Sequence, residues 1–337
     1  MNDSTFESPE AAIAWENYWS GVIEAGAYSA GGVSHPAIQS FWKQFFFEAA
    51  QAYNTPAILD IASGDGALID LALLAFGVEG AEISSIDLSE AAVESIRERF
   101  PTVQGQAADA GDVPHESGHF DVISSQFGVE YAGEKAVSEA ARLLAPGGRL
   151  ALLMHKQGSC IHYECAANLD AIQRVQTSGY ITKALDMFRA AYAALGGAER
   201  QPYDDAAASL APAVQELEGI MREYGKNVAG DTVLSLYGGV ADIHERLQAF
   251  DPEEVLGWLQ RLDSEMDTFA GRMKSMIESA MDQEAFEKAC GILRGAGCEV
   301  DQAGPLLAPG EDLPYAWVIT ANRPAMKEQQ LLSLIHI

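Results

Sequence analysis

Short apolar runs alternate with amphipathic segments from Pro56 onward. Continuous apolar runs of this length, separated by helical segments, are typical of parallel strands that are buried on both faces. The pattern predicts strands at 57–61, 83–86, 120–124, 149–155, 298–301 and 317–320, with one more just before Asp109. It predicts helices at 67–76, 89–100, 134–144 and 283–293, with Ser89 as a cap and a stop at Pro146-Gly147-Gly148. We therefore expect an α/β fold with a doubly wound, seven-stranded, mostly parallel sheet.

A second pattern follows His155, where the alternation stops and helical spacing takes over. Apolar residues there recur every three or four positions, as on one face of a helix. Three such stripes run through 181–195, 210–224 and 255–276, and the third begins with Asp251 as a cap and Pro252 in the first turn. These stripes favour helices that pack against each other and the core, although a partner-binding coiled coil has the same spacing.

The two patterns predict four parts of the chain. Residues 1–55 form an N-terminal helical cap, and 156–280 form a large helical insertion after strand five that is expected to serve as a substrate lid. The core comprises 56–155 and 281–323. Residues 324–337, which lack a cap and an evident partner, are expected to be a disordered tail.

The net charge of −28, from 49 acidic and 21 basic residues among 337, narrows the classes of partner that this protein is expected to bind. Such a surface repels phosphate backbones and anionic lipids, so we expect neither nucleic acid nor membrane as a partner. No apolar run is long enough to cross a bilayer, and the first twenty residues lack a signal-peptide pattern, so we expect a cytoplasmic protein. The four cysteines fit neither a disulfide framework nor a common zinc pattern, and no metal is expected.

The turn after the first predicted strand is the first candidate for ligand chemistry. Asp60 ends that strand, and Ala62-Ser63-Gly64-Asp65-Gly66 precedes the next helix. Small residues let the backbone approach a ligand closely, and the free amides at the helix start face that ligand. Taken alone, the turn could hold a dinucleotide or S-adenosylmethionine, or it could be a tight turn without a ligand.

Carboxylates at the next two strand ends narrow this choice. Asp87 ends the second strand, where a carboxylate can accept bonds from both ribose hydroxyls. Asp109 follows the third strand and can accept a bond from an exocyclic adenine amine. Successive carboxylates suit an adenosine with a cationic sulfonium tail and repel a pyrophosphate, so a nicotinamide-dependent dehydrogenase is disfavoured.

Four motifs, in order, resemble those of class I S-adenosylmethionine-dependent methyltransferases of the small-molecule branch. They are LDIASGDG, SSIDLSEAAVESIRERF, AADAGDVPHESGHFDVISSQFGVEY and LLAPGGRLALL, which together cover about 57–155. The chain departs from the family at Ala62, where the first motif usually has glycine. The resemblance implies a Rossmann-like fold with S-adenosyl-L-methionine as cofactor. The residues that it assigns to the cofactor are Asp60, Ala62, Ser63, Gly64, Gly66, Asp87, Leu88, Asp109, Ala110 and Gln126.

The catalytic candidates lie after the fourth and fifth strands, because open α/β sheets bind ligands beyond the carboxyl ends of their strands. His155 is the preferred base, with Glu130 and Tyr131 as further candidates, while His155 could instead simply pack the strand end. We expect methyl transfer to a small-molecule acceptor, apolar or aromatic, by a monomer or homodimer. The alternative is a non-catalytic relative that binds a partner through its helical insertion.

Overall fold

The computed structural model describes residues 9–21, 35–308 and 310–325. Most of the predicted tail, and residues 1–8 and 22–34 of the predicted N-terminal cap, lie outside the described residues. The helices are α1 (Pro9–Gly21), α2 (Pro36–Ala52), α3 (Ala67–Phe76), α4 (Glu90–Arg99), α5 (Gly133–Leu143), α6 (Cys160–Ser178), α7 (Tyr180–Leu195), α8 (Gln201–Tyr224), α9 (Thr232–Glu245), α10 (Pro252–Glu278) and α11 (Gln283–Gly295). The strands are β1 (Ala57–Ile61), β2 (Glu82–Asp87), β3 (Gln104–Ala107), β4 (Phe120–Gln126), β5 (Leu144–His155), β6 (Glu299–Leu306) and β7 (Ala316–Asn322).

The seven strands form one sheet in the order β3-β2-β1-β4-β5-β7-β6. Strands β1 to β5 run parallel to one another, whereas β7 is antiparallel to both β5 and β6. From β1 the chain proceeds to one edge of the sheet, and from β4 it proceeds to the other. The boundary between β1 and β4 is therefore the topological switch point, where open α/β sheets bind ligands. The predicted seven-stranded, mostly parallel, doubly wound α/β fold is confirmed.

Capping residues begin the helices where the sequence places them. The Ser89 hydroxyl accepts a bond from the Ala92 amide at the start of α4. His35 caps α2, with Pro36 in its first position, and Asp251 accepts bonds from two amides at the start of α10. Each such bond satisfies an amide that has no partner within its own helix.

The fifth strand begins earlier than the sequence pattern indicated. Prediction placed it at 149–155, after a stop at Pro146-Gly147-Gly148, but β5 already begins at Leu144. The prediction was wrong because a proline and two glycines were taken as a loop. Gly147 adopts a positive φ of 86°, and the register with β4 shifts between Phe120 and Val122. The chain is thus extended but irregular there, as in a β-bulge.

Two compact units divide the chain. The first holds the sheet and comprises the described residues up to Tyr163 and from Ser275 onward. One apolar cluster of this unit covers a face of the sheet, where α5 and α11 pack against alternate residues of β1, β4, β5 and β7.

The second unit, Glu164–Lys274, is helical and has an apolar core of its own. The three predicted stripes supply much of that core, through residues such as Phe188, Leu217 and Leu259. Helix α9 also contributes to it, although no predicted stripe marked that helix. Among the described residues, no helix combines the length and apolar character needed to cross a bilayer.

Candidate active site

The turn after β1 is held in a left-handed conformation. Ala62, Gly64 and Gly66 have φ values of 56°, 52° and 82°, so three residues of the turn lie in the region that glycine adopts most readily. Ser63 anchors the turn, because its amide and its hydroxyl both donate to the Ile86 carbonyl of β2, at 3.1 and 2.9 Å. The predicted strand–turn–helix is therefore tied to the neighbouring strand.

Ala62, which stands where related motifs have glycine, fits because another glycine faces it. A Cβ built on Gly128 would lie only 2.3 Å from the Ala62 Cβ. Gly128 follows β4, next to β1 in the sheet, so it leaves the space that the Ala62 methyl group occupies. The sequence departure is thus compensated 66 positions further along the chain (128 − 62).

Asp87 links the ends of β1 and β2. One carboxylate oxygen accepts a bond from the Gly64 amide and the other accepts from the Ser89 amide, both at 2.9 Å. Burial raises the pKa of Asp87, the backbone amides of Ser89, Gly64 and Leu88 oppose that rise, and the nearby charge of Glu16 adds to it. Each carboxylate oxygen has a further lone pair, so Asp87 can also accept bonds from a diol.

Asp60 is a buried acid with half of its carboxylate satisfied. Its Oδ1 accepts a bond of 2.8 Å from the Ser124 hydroxyl of β4. Its Oδ2 is buried and has no hydrogen-bond partner within the part of the chain that the structure describes. Burial raises the pKa of Asp60 to about 7, and the charges of Asp87 and Asp65 contribute. A ligand ammonium beside Oδ2 would satisfy this acid and favour its ionised form.

The next two strand ends complete this edge of the sheet. Leu88 is 42% exposed directly after Asp87, so its side chain offers an apolar surface to a ligand. The Asp109 carboxylate accepts a bond of 2.7 Å from the Gly111 amide and so shapes the loop after β3. Ala110 packs on the apolar cluster below. The contact between Asp109 and Gly111 is a local turn, and the role of Asp109 toward adenine stays a prediction.

Helix α1 brings aromatic rings onto the glycine turn. A Cβ built on Gly64 would lie 2.7 Å from Cζ2 of Trp19, so the indole lies directly against the turn. Trp15 stacks on Trp19 and meets the Tyr131 ring edge-on, with centroids 5.9 Å apart. Because Tyr131 in turn meets the His155 ring at 5.8 Å, α1 spans from the glycine turn to the catalytic candidates.

Glu130 and His155 form a buried pair at the ends of β4 and β5. Glu130 Oε1 accepts a bond from the His155 backbone amide and lies 2.7 Å from its ring Nδ1. The two side chains are 0% and 4% exposed, respectively. Since a carboxylate can only accept, it holds the proton on Nδ1 and makes Nε2 the basic nitrogen of the neutral ring.

The structure brings the three catalytic candidates together, with Phe127 as a fourth member of the cluster. The Phe127 ring lies 4.4 Å from that of His155, centroid to centroid, and its backbone has a positive φ of 54°. His162 lies near this cluster. Burial lowers the pKa of His162, and the charge of His155 lowers it further. The arrangement is that of a histidine held in one orientation beside aromatic rings.

Sequence reasoning missed several residues of this site. Trp42 of α2 donates its indole N–H to the Gln126 side chain at 2.7 Å, and Gly128 and Ser124 support the turn and Asp60. The aromatic character of the N-terminal segment was visible in the sequence. Which of its rings would reach the strand ends was not, because helical periodicity does not identify the partner of a helix face.

Comparison with known proteins shows which family this part of the chain is similar to. Residues 58–148 match a family model described as "Methyltransferase domain". The ubiquinone/menaquinone biosynthesis C-methyltransferase UbiE of Shewanella piezotolerans is 30% identical over 124 residues, which are 34% of this chain and 49% of that protein. The UbiE of Teredinibacter turnerae is 27% identical over 221 residues, 63% of this chain and 82% of the relative. The chain therefore spans about half the length of the first of these relatives and more of the second.

Among solved structures, the geranyl diphosphate C-methyltransferase of Streptomyces coelicolor A3(2) aligns with 94% of this chain and 99% of its own. Its sequence identity is 12% and the TM-score is 0.45.

The contact between Ala62 and Gly128 predicts a mutual dependence in stability. Gly128→Ala should lower the free energy of unfolding by roughly 1–3 kcal/mol, because the new methyl group overpacks against Ala62. Ala62→Gly in the same chain should restore most of that loss. Denaturant unfolding of both single variants and the double variant measures the coupling.

A matched control is Gly291→Ala in α11, where a new Cβ meets nothing within 4 Å. That substitution should leave the stability unchanged or raise it slightly. A double variant as unstable as Gly128→Ala alone would contradict the contact.

The raised pKa of Asp60 predicts a specific pH dependence of stability. The carboxyl group ionises near 3.8 when unfolded and near 7 when folded, so the folded chain holds a proton that the unfolded chain releases between these values. The stabilisation from this proton is complete below about pH 4 and disappears as the pH rises through 7. Relative to Asp60→Asn, the wild type should lose on the order of 2–4 kcal/mol across that window.

Urea unfolding at four pH values between 4.5 and 7.5 measures this difference. Glu79→Gln, at an exposed acid after α3 that does not contribute to the pKa of Asp60, is the control and should follow the wild type. Parallel curves for the wild type and Asp60→Asn would show that Asp60 is not protonated in the folded chain.

Proposed function

Because the chain carries a class I S-adenosylmethionine-dependent methyltransferase domain, we propose that it transfers a methyl group from S-adenosylmethionine to a small-molecule acceptor. One observation carries the proposal: Asp60 and Asp87 lie at neighbouring strand ends on either side of the Gly64 turn, and Gly64 donates its amide to Asp87. These residues match the parts of S-adenosylmethionine. Asp60 has an unsatisfied oxygen for the ammonium, Asp87 can accept bonds from the ribose diol, and the backbone at Gly64 allows close approach.

The described residues fit the cofactor part by part. The carboxylate of Asp87 would accept from the ribose hydroxyls, and Asp60 would take the ammonium on its unsatisfied Oδ2. Leu88 and the loop at Asp109 and Ala110 would hold the adenine. The bound cofactor supplies an activated methyl group, and the protein has to align the acceptor with it and exclude water.

The acceptor is activated by the Glu130–His155 pair. In this proposal the neutral His155 takes a proton from the acceptor at Nε2 as the acceptor atom forms its bond to the methyl carbon. Glu130 keeps the ring oriented through Nδ1 and stabilises the imidazolium that results. The proton then returns to solvent, which leaves the methylated acceptor and the demethylated thioether as products.

The acceptor class follows from the walls around His155. Phe127, Tyr131 and, through Tyr131, Trp15 present aromatic surfaces there, which suits a flat or apolar acceptor. The matched relatives named above are C-methyltransferases of quinone biosynthesis. We extend this to the present chain as methylation of a carbon that either carries an acidic C–H itself or becomes nucleophilic when a neighbouring O–H group loses its proton. The net charge of −28 supports a small molecule over a nucleic acid.

Binding of the demethylated cofactor tests the proposal directly. Wild-type protein should bind S-adenosylhomocysteine in a calorimetric titration. Asp87→Ala should weaken that binding by roughly 2–4 kcal/mol, because it removes charge-assisted bonds to the ribose.

Asp65→Ala, in the exposed part of the same turn, is the matched control and should bind like the wild type. Asp87→Asn keeps one acceptor and covers the case in which Asp87→Ala fails to fold. Absence of binding by the wild type would leave the non-catalytic, partner-binding alternative.

Catalysis by His155 predicts a loss of turnover without a loss of cofactor binding. His155→Gln should lower the rate of methyl transfer about 10²- to 10⁴-fold, as expected for loss of a positioned base. The assay uses labelled S-adenosylmethionine and a metabolite extract, with the labelled product identified by mass spectrometry.

His162→Gln is the control, since His162 lies nearby but is not paired with a carboxylate in any contact found among the described residues. Near-normal transfer by His155→Gln, together with loss in His162→Gln, would move the base to His162.

A further inference from the structure

The side chain of Gln126, at the end of β4, is held by an indole that is distant in sequence. Trp42 Nε1 donates to Gln126 Oε1 at 2.7 Å, over a separation of 84 residues. The Trp42 side chain is completely buried, whereas Gln126 is partly exposed. This contact thus joins a rigid interior group to a residue at the carboxyl edge of the sheet.

The chemistry of the two groups leaves one orientation of the amide. An indole nitrogen can only donate, so its partner must be the amide oxygen. Rotation of the amide by 180° would set two donors against each other and leave both unsatisfied, which disfavours that orientation. The Gln126 NH₂ group is therefore turned away from Trp42.

Trp42 is itself held in place by neighbouring rings. Phe41, Phe45 and Phe46 lie with their centroids 5.0, 5.8 and 6.0 Å from that of Trp42, in edge-on and stacked arrangements. A side chain packed in this way loses its freedom to rotate, so the N–H direction is set before any ligand arrives.

Gln126 stands on the same face of the sheet as Asp60. Asp60 pairs with Ser124 in the register of β1 and β4, and their side chains are hydrogen-bonded. Gln126 comes two residues after Ser124, and strand side chains alternate between faces, so Asp60, Ser124 and Gln126 share one face. An oriented amide donor thus lies one step beyond the acid that, in the proposed function, takes the cofactor ammonium.

We propose that Trp42 is a positioning residue that holds the Gln126 amide as the donor for the carboxylate at the amino-acid end of the cofactor. The proposal rests on the proposed function. The ammonium and carboxylate of that end are attached to the same carbon, so a ligand ammonium at Asp60 brings a negative group to the same place. A neutral donor is needed there, because another acid would repel the carboxylate and raise the cost of its burial.

Two probes separate this role from a structural one. S-adenosylhomocysteine contains the amino-acid end, whereas 5′-methylthioadenosine has the same adenosine and thioether without it. A variant that disturbs the site as a whole weakens the binding of both probes. A variant that acts on the carboxylate contact weakens the binding of the first alone.

Calorimetry with both probes on the full chain is the experiment. Gln126→Glu still accepts the bond from Trp42 but turns a carboxylate toward the ligand, so it should weaken the binding of S-adenosylhomocysteine by more than about 10-fold. Trp42→Phe keeps the apolar packing and releases the Gln126 amide, which should weaken the binding of the same ligand by about 3- to 10-fold. Both variants should bind 5′-methylthioadenosine like the wild type, and the double variant should be no weaker than Gln126→Glu alone.

Trp258→Phe, the same replacement in the helical unit, is the matched control and should leave both affinities unchanged. Equal weakening of both probes by Trp42→Phe, or no weakening of either, would overturn the positioning role. Additive losses in the double variant would also overturn it, since they would show that Trp42 does not act through Gln126. A wild-type chain that binds neither probe would instead overturn the proposed function itself.

Discussion

The hydrogen bond from the Gly64 amide to the Asp87 carboxylate is the contact on which the candidate site depends. It joins the turn after β1 to the end of β2, and Ser63 adds two further bonds to the same strand. These bonds hold a left-handed turn that costs free energy at Ala62. The same contact leaves Asp87 at the sheet edge with lone pairs to spare, so one interaction both stabilises the turn and prepares a ligand contact.

The buried acids Asp60 and Glu130 at this edge of the sheet have different partners, and that difference matches the proposed chemistry. On the cofactor side, Asp60 and Asp87 lie close enough for the charge of Asp87 to raise the pKa of Asp60, so a ligand cation beside Asp60 would favour its ionised form. On the acceptor side, Oε1 of Glu130 contacts both the backbone amide and the ring Nδ1 of His155, so the ring is held in one orientation. An acid whose partner is a hydroxyl group can still bind a cation, whereas an acid beside a histidine orients a base.

Prediction from sequence succeeded where a local pattern carries the information. The ends of β1 and β2, the caps at Ser89 and Asp251, and the apolar faces of α7, α8 and α10 each follow from neighbouring residues. It failed at the start of β5, where proline and glycine signal a loop but the chain remains paired, and it did not mark α9. Those outcomes are decided by pairing and packing partners that lie elsewhere in the chain.

The sequence by itself determined which residues stand at the carboxyl ends of the strands, and therefore that Asp60, Asp87 and the glycine turn would share one edge. Parallel strands require this, since their carboxyl ends meet on the same side. Only the tertiary structure decided that Gly128 makes room for Ala62, that Glu130 orients His155 and that Trp42 holds Gln126. These contacts join residues 25 to 84 positions apart, and periodicity specifies the face of an element without specifying what packs against it.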